Sequence, residues 1–394
     1  MTGPAPGTPA SDVIIVGAGP VGLLLAGELR LGGARVTVLE QLVEPTTESR
    51  ASTLHARTLE ILEDRGVLRR LGALPDGGPG HFGGLRLDLA EAEPGHPYAG
   101  QWKCPQARLE AVLMLWATGL GARVRRGHRV TGLTPRPRRV DVEHTGPDGI
   151  RHHSAAAFVV GCDGERSTVR HLGGFEFAGE DGTLEMLRAD VAGLDVPDRR
   201  FERHPHGLAT AHRWPDGSTR VMVHLFGTPP GRRTGPPPFT EVAATWAKVT
   251  GEDIAHGTPL WLNAFDDTSR QATAYRRGRV LLAGDAAHVQ MPVSGQALNL
   301  GLQDAAALGP RLAARVTGRA DDGGLDAYQR ERHPATARAL DGIRAQARLL
   351  LGGPEVDAVR DTLAELMRLG PVRRHLARTV TGLDTPLPPT SSRS

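Results

Sequence analysis

The sequence predicts an α/β fold built around a Rossmann-like nucleotide-binding domain, and three observations carry that prediction. Residues 12–16 form a short run, apolar without a break after Asp12, GAGPVG follows at once, and an apolar helix then extends to near Arg30. Residues 35–39 form a second apolar run that closes on Glu40. Two later runs, AAFVVGCDG and GRVLLAGDAAH, also reach an acid beside a glycine. Short runs without alternation suit parallel strands covered on both faces.

In the first unit Gly17 permits a tight turn, Gly19 lets the backbone approach a pyrophosphate, and Gly22 lets the helix pack close to the strand. Pro20 belongs to the same candidate loop. The pyrophosphate would sit on the helix N-terminus, whose free N–H groups and dipole favour anions. Glu40 lies 18 residues past Gly22, placed to accept from a ribose hydroxyl, and Gln41 follows it. That acid disfavours a 2′-phosphate, so the resident nucleotide is FAD or NAD rather than NADP.

At 394 residues the chain is long for one domain and comfortable for two. The formal net charge is +3, but lysine occurs only at Lys103 and Lys248, and the arginines are scattered among carboxylates. No basic run is interleaved with aromatics, so no nucleic-acid partner is expected. Cys104 and Cys162 show neither metal-ligand spacing nor a framework of pairs, which suits a reducing cytoplasm and predicts no metal site. The opening MTGPAPGTPASD lacks a basic region, and no window offers about 20 uninterrupted apolar residues, so no membrane span is expected.

Residues 46–66 run from a polar loop into an amphipathic helix with Leu59, Leu62 and Val67 at helical spacing. Residues 77–98 are rich in glycine and proline, with Phe82, Leu85, Leu87 and Leu89 suggesting sheet outside the first domain. CPQARLEAVLMLWA returns to helix, with Leu109, Val112, Leu113 and Trp116 on its apolar side. Strand-like RVTGL and RVDVEH lead into AAAFVVGCDGERSTVR, where STVR opens another helix.

That last segment resembles the DG motif of the flavin-dependent aromatic hydroxylases (class A monooxygenases). GRVLLAGDAAHVQMPVSGQALNLGLQDAAAL resembles their second FAD motif. SRASTLHARTLEILEDRG, FGGLRLDL, HPY, CPQARLEAVL, GGFEFAG and HLARTVTGLD look like the subgroup acting on aromatic polyketides, the angucycline and anthracycline hydroxylases. The likeness covers essentially the whole chain. It implies FAD as cofactor, with NADPH or NADH as a transient co-substrate that has no second Rossmann motif. It places Asp163 near the flavin and the pyridine nucleotide, Asp285 on the ribitol, Arg50 and Gln106 against FAD, and Val130 by the adenine. Pro292, Ser294, Gly295, Ala297, Leu298 and Asn299 would turn into a helix N-terminus beside the isoalloxazine, Leu298 and Asn299 presenting backbone N–H groups. Reduced flavin carries negative charge near N1 and the C2 carbonyl, which a helix N-terminus stabilises. Alternatives stay open: Asp163 as a helix cap, Cys162 as a buried strand residue, His288 as a satisfied core histidine or a proton-transfer group.

The implied fold is that of p-hydroxybenzoate hydroxylase. An FAD-binding domain over residues 1–75, 100–175 and 275–340 is interleaved with a β-rich substrate domain over 76–99 and 176–274. C-terminal helices over 341–385 and a disordered tail over 386–394 follow. The patches LRADV, GLATAHRW and STRVMVHLFG and a helix over 239–249 fit the middle domain, whose apolar walls suit a flat polycyclic substrate. Trp214, Met222, His224 and Phe226 are candidates to face its cavity, although alternation puts half of them in the core.

No side chain announces itself as a catalytic base, and the resemblance implies flavin-borne chemistry. A C4a-hydroperoxide formed with molecular oxygen would be attacked by a phenolic ring of an aromatic polyketide. Baeyer–Villiger insertion, epoxidation, or a non-redox FAD- or polyketide-binding role are alternatives on the same scaffold. A cytoplasmic monomer or homodimer is expected. Two departures stand out. Family members read P-x-GGQG-x-N where this chain has PVSGQALN, so Ser294 and Ala297 replace glycines; at positive φ a side chain costs roughly 1–2 kcal/mol. Pro310 is expected to bend or end the helix that follows. The subgroup often continues into a thioredoxin-like third domain, where this chain has the Pro/Ser stretch TPLPPTSSRS.

Overall fold

The computed structural model describes residues 11–46, 51–214, 216–231 and 233–388. Arg50 and residues 389–394, which carry most of the expected disordered tail, lie outside the described residues. The first unit forms as expected, with strands Ser11–Val16 and Val36–Glu40 joined by helix Pro20–Leu31. The parallel part of the main sheet runs in the spatial order Val280–Leu282, Arg151–Gly161, Ser11–Val16, Val36–Glu40, Arg123–Arg126. The long strand Arg151–Gly161 serves three neighbours. Its first half pairs antiparallel with Val140–Thr145, its second half pairs parallel with Ser11–Val16, and its last residues also pair parallel with Val280–Leu282.

Helix Pro20–Leu31 packs against both Gln106–Gly119 and Gln296–Val316. Glycine sets both spacings. A β-carbon at Gly27 would fall 1.8 Å from the Trp116 ring, and one at Gly309 would fall 2.3 Å from Glu28 Cβ. Leu308, Leu312 and Ala313 are fully buried in the same layer. That packing explains why Pro310 does not end its helix, which continues to Val316: tertiary burial of an apolar face outweighs the one lost backbone bond.

A second, five-stranded antiparallel sheet holds Arg199–His204, Gly207–Arg213, Thr219–Leu225, Glu185–Ala192 and Thr258–Asp266 in that order. Alternation divides its residues between two faces. Ala189, Val191, Ala209, Val221 and Val223 pack under helix Phe239–Thr250 through Val242 and Trp246. Met186 and Leu208, with Met222 and Phe265 partly buried beside them, pack against Met291, Val293 and Ile343. The sheet thus roofs the segment after the GDAAH turn. Of the cavity candidates, His224 is buried and Met222 and Phe226 are half-buried.

Two of these strands have no clear signal in the sequence. RRFERH in Arg199–His204 carries charge on both faces of an edge strand, where unpaired backbone and exposed charge coexist. Thr258–Asp266 mixes proline, tryptophan and polar residues with no fully buried position. The segment 76–99 contributes the hairpin Gly80–Phe82 and Leu85–Leu87, which forms its own two-stranded sheet. Phe82 and Leu87 pack with Met367, Ala377 and Val380 of the C-terminal region. Among the described residues no helix is long and apolar enough to cross a membrane.

Gly27→Val tests the helix spacing. Forcing a branched side chain against Trp116 should destabilise the protein by about 2–3 kcal/mol or more, read as a lowered midpoint in chemical denaturation.

Candidate functional site

Parallel register brings four strand ends to one edge. Val16 pairs with Gly161 and with Leu39, and Gly161 pairs with Leu282. The residues that follow each end, Gly17, Glu40, Asp163 and Asp285, therefore emerge along the carboxyl edge of the sheet, where ligands of open α/β sheets bind. Gly17 has φ +104°, and a β-carbon there would lie 2.3 Å from the Cys162 carbonyl oxygen. At Gly22 a β-carbon would lie 2.1 Å from the Gly17 carbonyl oxygen. Both glycines are required by contact with the chain itself. Gly19 is different: nothing lies within 4 Å of its missing side chain. Open space at the N-terminus of helix Pro20–Leu31 fits the approach of a dinucleotide phosphate.

Glu40 braces this loop. Its Oε2 accepts from the Ala18 amide at 2.7 Å and its Oε1 from the Leu42 amide at 2.8 Å. A carboxylate has lone pairs beyond these two bonds, so a ribose hydroxyl could still be held. Gln41 beside it is exposed. Asp163 caps a short helix, Thr168–Leu172: it accepts from Ser167 Oγ at 2.5 Å and from the Val169 amide at 3.0 Å. Burial raises its pKa against the opposing effect of those bonds. Asp285 is exposed on the turn Gly284–Ala286. Gln106 opens helix Gln106–Gly119, with its amide on the Ala51 carbonyl and its side chain on Glu110. Val130 is buried in Arg129–Pro135 within the main core.

Pro292 precedes the turn Val293–Gly295, which leads directly into helix Gln296–Val316. Ser294 has φ 52° and ψ 19°, and Gly295 has φ 67°. Of the two replaced glycines, Ser294 thus occupies left-handed backbone, whereas Ala297 sits in the first helical turn. Ser294 is compensated by its hydroxyl, which lies 2.8 Å from Gln346 Oε1 and 3.1 Å from the His81 carbonyl oxygen. Asn299 is 2% exposed and acts through its side chain. Its Oδ1 accepts from the His55 amide at 2.9 Å, and its Nδ2 donates to the carbonyls of Thr53 and Gly295 at 3.0 and 2.7 Å.

Asp304 and Arg332 escaped sequence reasoning. Asp304 Oδ2 accepts from the Gly284 amide at 3.1 Å and from His288 Nε2 at 2.7 Å, while its Oδ1 accepts from Arg332 Nε at 2.8 Å. Burial opposes all three charges, yet the pairing prevails: the pKa of Asp304 is lowered and those of His288 and Arg332 are raised. His288 Nδ1 also meets Gln290 Oε1 at 3.3 Å, so both ring nitrogens are engaged, as in a satisfied core histidine. A signal existed, since Asp304 is the one acidic residue in the helical stretch Gln296–Val316. Its partner Arg332 has no local pattern.

Two neutral histidines and a lysine flank the turn. Burial, with Lys103 nearby, lowers the His55 pKa to about 4. Burial, then Arg200 and Lys103, lowers that of His81 to about 3. Lys103 donates to Thr53 Oγ1 at 3.1 Å, and a β-carbon on Gly295 would lie 2.9 Å from Thr53 Cβ.

Ser294→Ala keeps the strained backbone and loses the hydroxyl bonds, so it should destabilise by about 1–2 kcal/mol. Ser294→Gly relieves the strain and should lie within about 1 kcal/mol of the parent, the order of the two variants in urea unfolding being the check. His55 and His81 are neutral when folded and titrate near 6.5 when unfolded, so their contribution is complete above pH 6.5. It should fall as the pH drops, with the His55 part levelling off near 4 and the His81 part only near 3, and His81→Asn should flatten the curve in unfolding titrations between pH 7 and pH 3.

A family model described as an FAD binding domain matches residues 10–342. The 12-dehydrotetracycline 5-monooxygenase/anhydrotetracycline 6-monooxygenase of Streptomyces rimosus subsp. rimosus is 40% identical, over 96% of this chain and 77% of its own. CabE, an aromatic hydroxylase from angucycline biosynthesis, superposes with a TM-score of 0.91 at 48% identity, covering 95% of this chain and 76% of that one. The Diels-Alderase PyrE3 from the pyrroindomycin pathway superposes with a TM-score of 0.87 at 37% identity, over 94% and 80% of the two chains. With glycines compressed at the phosphate loop, three acids on one sheet edge and a left-handed turn before a helix N-terminus, the chain belongs to the FAD binding domain family and is a flavin-dependent aromatic monooxygenase.

Proposed function

We propose that this protein hydroxylates an aromatic polyketide, with NADPH or NADH as reductant and molecular oxygen as co-substrate, in the cytoplasm as a monomer or homodimer. The observation that supports it most is the left-handed Ser294–Gly295 turn, which leads into the N-terminus of Gln296–Val316 where Met291 and Val293 pack against Met186 and Leu208 of the five-stranded sheet. Bound FAD supplies two-electron reduction and oxygen activation. Gly17, Gly19, Pro20 and Gly22 would receive the pyrophosphate, Glu40 with Gln41 beside it the ribose, and Val130 the adenine; Gln106 would contact FAD, Asp285 would accept from the ribitol, and Asp163 would lie near the flavin and the path of the pyridine nucleotide. Pro292, Ser294, Gly295, Ala297, Leu298 and Asn299 shape the ring side. The first-turn N–H groups there favour negative charge at the ring edge, as a preorganised donor set does. Roofing by Met186, Met222 and Phe265 keeps water from the reacting ring.

A second reading has one support: the likeness to a protein named as a Diels-Alderase makes a pericyclic, non-redox role on the FAD scaffold concrete. Anaerobic stopped-flow reduction of the FAD-loaded protein by NADPH, with a panel of aromatic polyketides, separates the two. The hydroxylase reading expects one compound to accelerate flavin reduction at least tenfold, and a product heavier by one oxygen atom on aeration. Flavin that stays oxidised throughout, with an isomerised product of unchanged mass, would favour the pericyclic reading.

A further inference from the structure

We propose that Arg86 and Arg200 form an anion clamp at the mouth of the cavity beside the Ser294 turn, and that the aromatic substrate it admits carries a carboxylate. The inference rests on the hydroxylase reading and extends it to substrate chemistry. A cavity of about 250 Å³ opens between the hairpin Gly80–Phe82/Leu85–Leu87 and the edge strand Arg199–His204. Its lining includes Pro79, His81, Arg86, Arg200 and Phe201. The ring of His81 lies 4.3 Å from that of Phe201, centroid to centroid. The His81 carbonyl is in turn within hydrogen-bond distance of Ser294 Oγ, so the aromatic wall is one side chain away from the ring-side loop.

Charge is what marks this cavity. Neighbouring arginines in the five-stranded sheet and in the loop after it are paired: Arg199 with Glu252, Arg203 with Asp357, Arg220 with Asp190, and Arg233 of the loop with Glu185. Arg86 and Arg200 instead act on each other: partial desolvation of the Arg200 guanidinium at the cavity mouth, together with Arg86, lowers its pKa although the residue as a whole is exposed. No carboxylate pairs with either among the described residues. Lys103 adds a third cation acting on Arg200's neighbourhood, its ammonium on a hydroxyl rather than a carboxylate. Like charges held together without a counterion raise the free energy of the empty site, and an anion removes that repulsion on binding. Two guanidinium groups also match the planar fork of a carboxylate.

Phe201 supports an aromatic occupant. It holds φ 52°, rare for a non-glycine residue, and its amide donates to Thr210 Oγ1 at 2.8 Å. A residue kept in sparsely populated backbone beside a cavity is a common mark of a ligand-facing position. A flat ring against Phe201 with its acid group on the two arginines uses both features. Phosphates of the pyridine nucleotide carry the same charge, but they would leave the aromatic wall unused.

The test titrates the FAD-loaded protein with 3-hydroxy-2-naphthoate, its methyl ester, and NADPH, following the flavin difference spectrum. The acid should bind at least tenfold more tightly than the ester at low salt. In the double variant Arg86→Gln/Arg200→Gln the acid should fall to the ester's affinity while the ester is unchanged. Both arginines are exposed, and retained FAD and an unchanged circular dichroism spectrum would confirm folding. Equal affinities in the parent, a preference that survives the double variant, no response to either naphthalene, or a loss confined to NADPH would each overturn the clamp. Oxygenation of a neutral polyketide with no acid preference would sink the clamp and keep the activity. Acid preference without any oxygenated product would do the reverse.

Discussion

The contact between Gly17 and the end of strand Arg151–Gly161 is the constraint on which the site depends. The Cys162 carbonyl occupies the place a side chain at Gly17 would need, and the Gly17 carbonyl occupies the place one at Gly22 would need. Strand, turn and helix therefore close on each other with no room between them. Parallel register then carries that closeness across the sheet, so that the phosphate loop, the Asp163 turn and the Gly284–Asp285 turn arrive at one edge. Of the three glycines in this loop, Gly19 alone has open space where a side chain would stand.

Asp304 performs the corresponding task on the other side. A buried carboxylate that receives a backbone amide, an imidazole and a guanidinium links the turn Gly284–Ala286 to helices Gln296–Val316 and Gly323–Leu351. Desolvation makes such a network a poor source of net stability, and its value lies in defining one arrangement. One turn earlier in the same helix, Asn299 fastens strand Thr53–His55 and the Gly295 carbonyl. The turn Val293–Gly295 is thus bounded by two polar side chains of one helix, which leaves Ser294 to bridge toward the hairpin and Gln346.

Legibility in the sequence followed the range of the interactions involved. The nucleotide half was readable because each of its features is local: an apolar run, a glycine turn, an acid at fixed distance. The DG and GDAAH segments were readable as strand ends, and their family likeness supplied roles that local physics does not. Arg199–His204 was hidden because an edge strand can carry charge on both faces, and Pro310 misled because the buried face of its helix outweighs one missing donor. Arg332 and the two clamp arginines could not be singled out among so many scattered arginines. What distinguishes them is the presence or absence of a carboxylate brought from elsewhere in the chain.

The sequence by itself determined the strand–turn–helix units, the need for glycine at Gly17 and Gly22, the acid after the second strand and the departure from glycine at Ser294. These follow from backbone sterics and short-range spacing, which any stretch of chain carries with it. Tertiary structure alone decided that Ser294 is left-handed and bonded while Ala297 is simply helical, that His288 is satisfied by Asp304, and that Arg86 and Arg200 line one cavity. Each of those depends on residues tens to hundreds of positions apart becoming neighbours, and burial, pairing and repulsion have no meaning until they do.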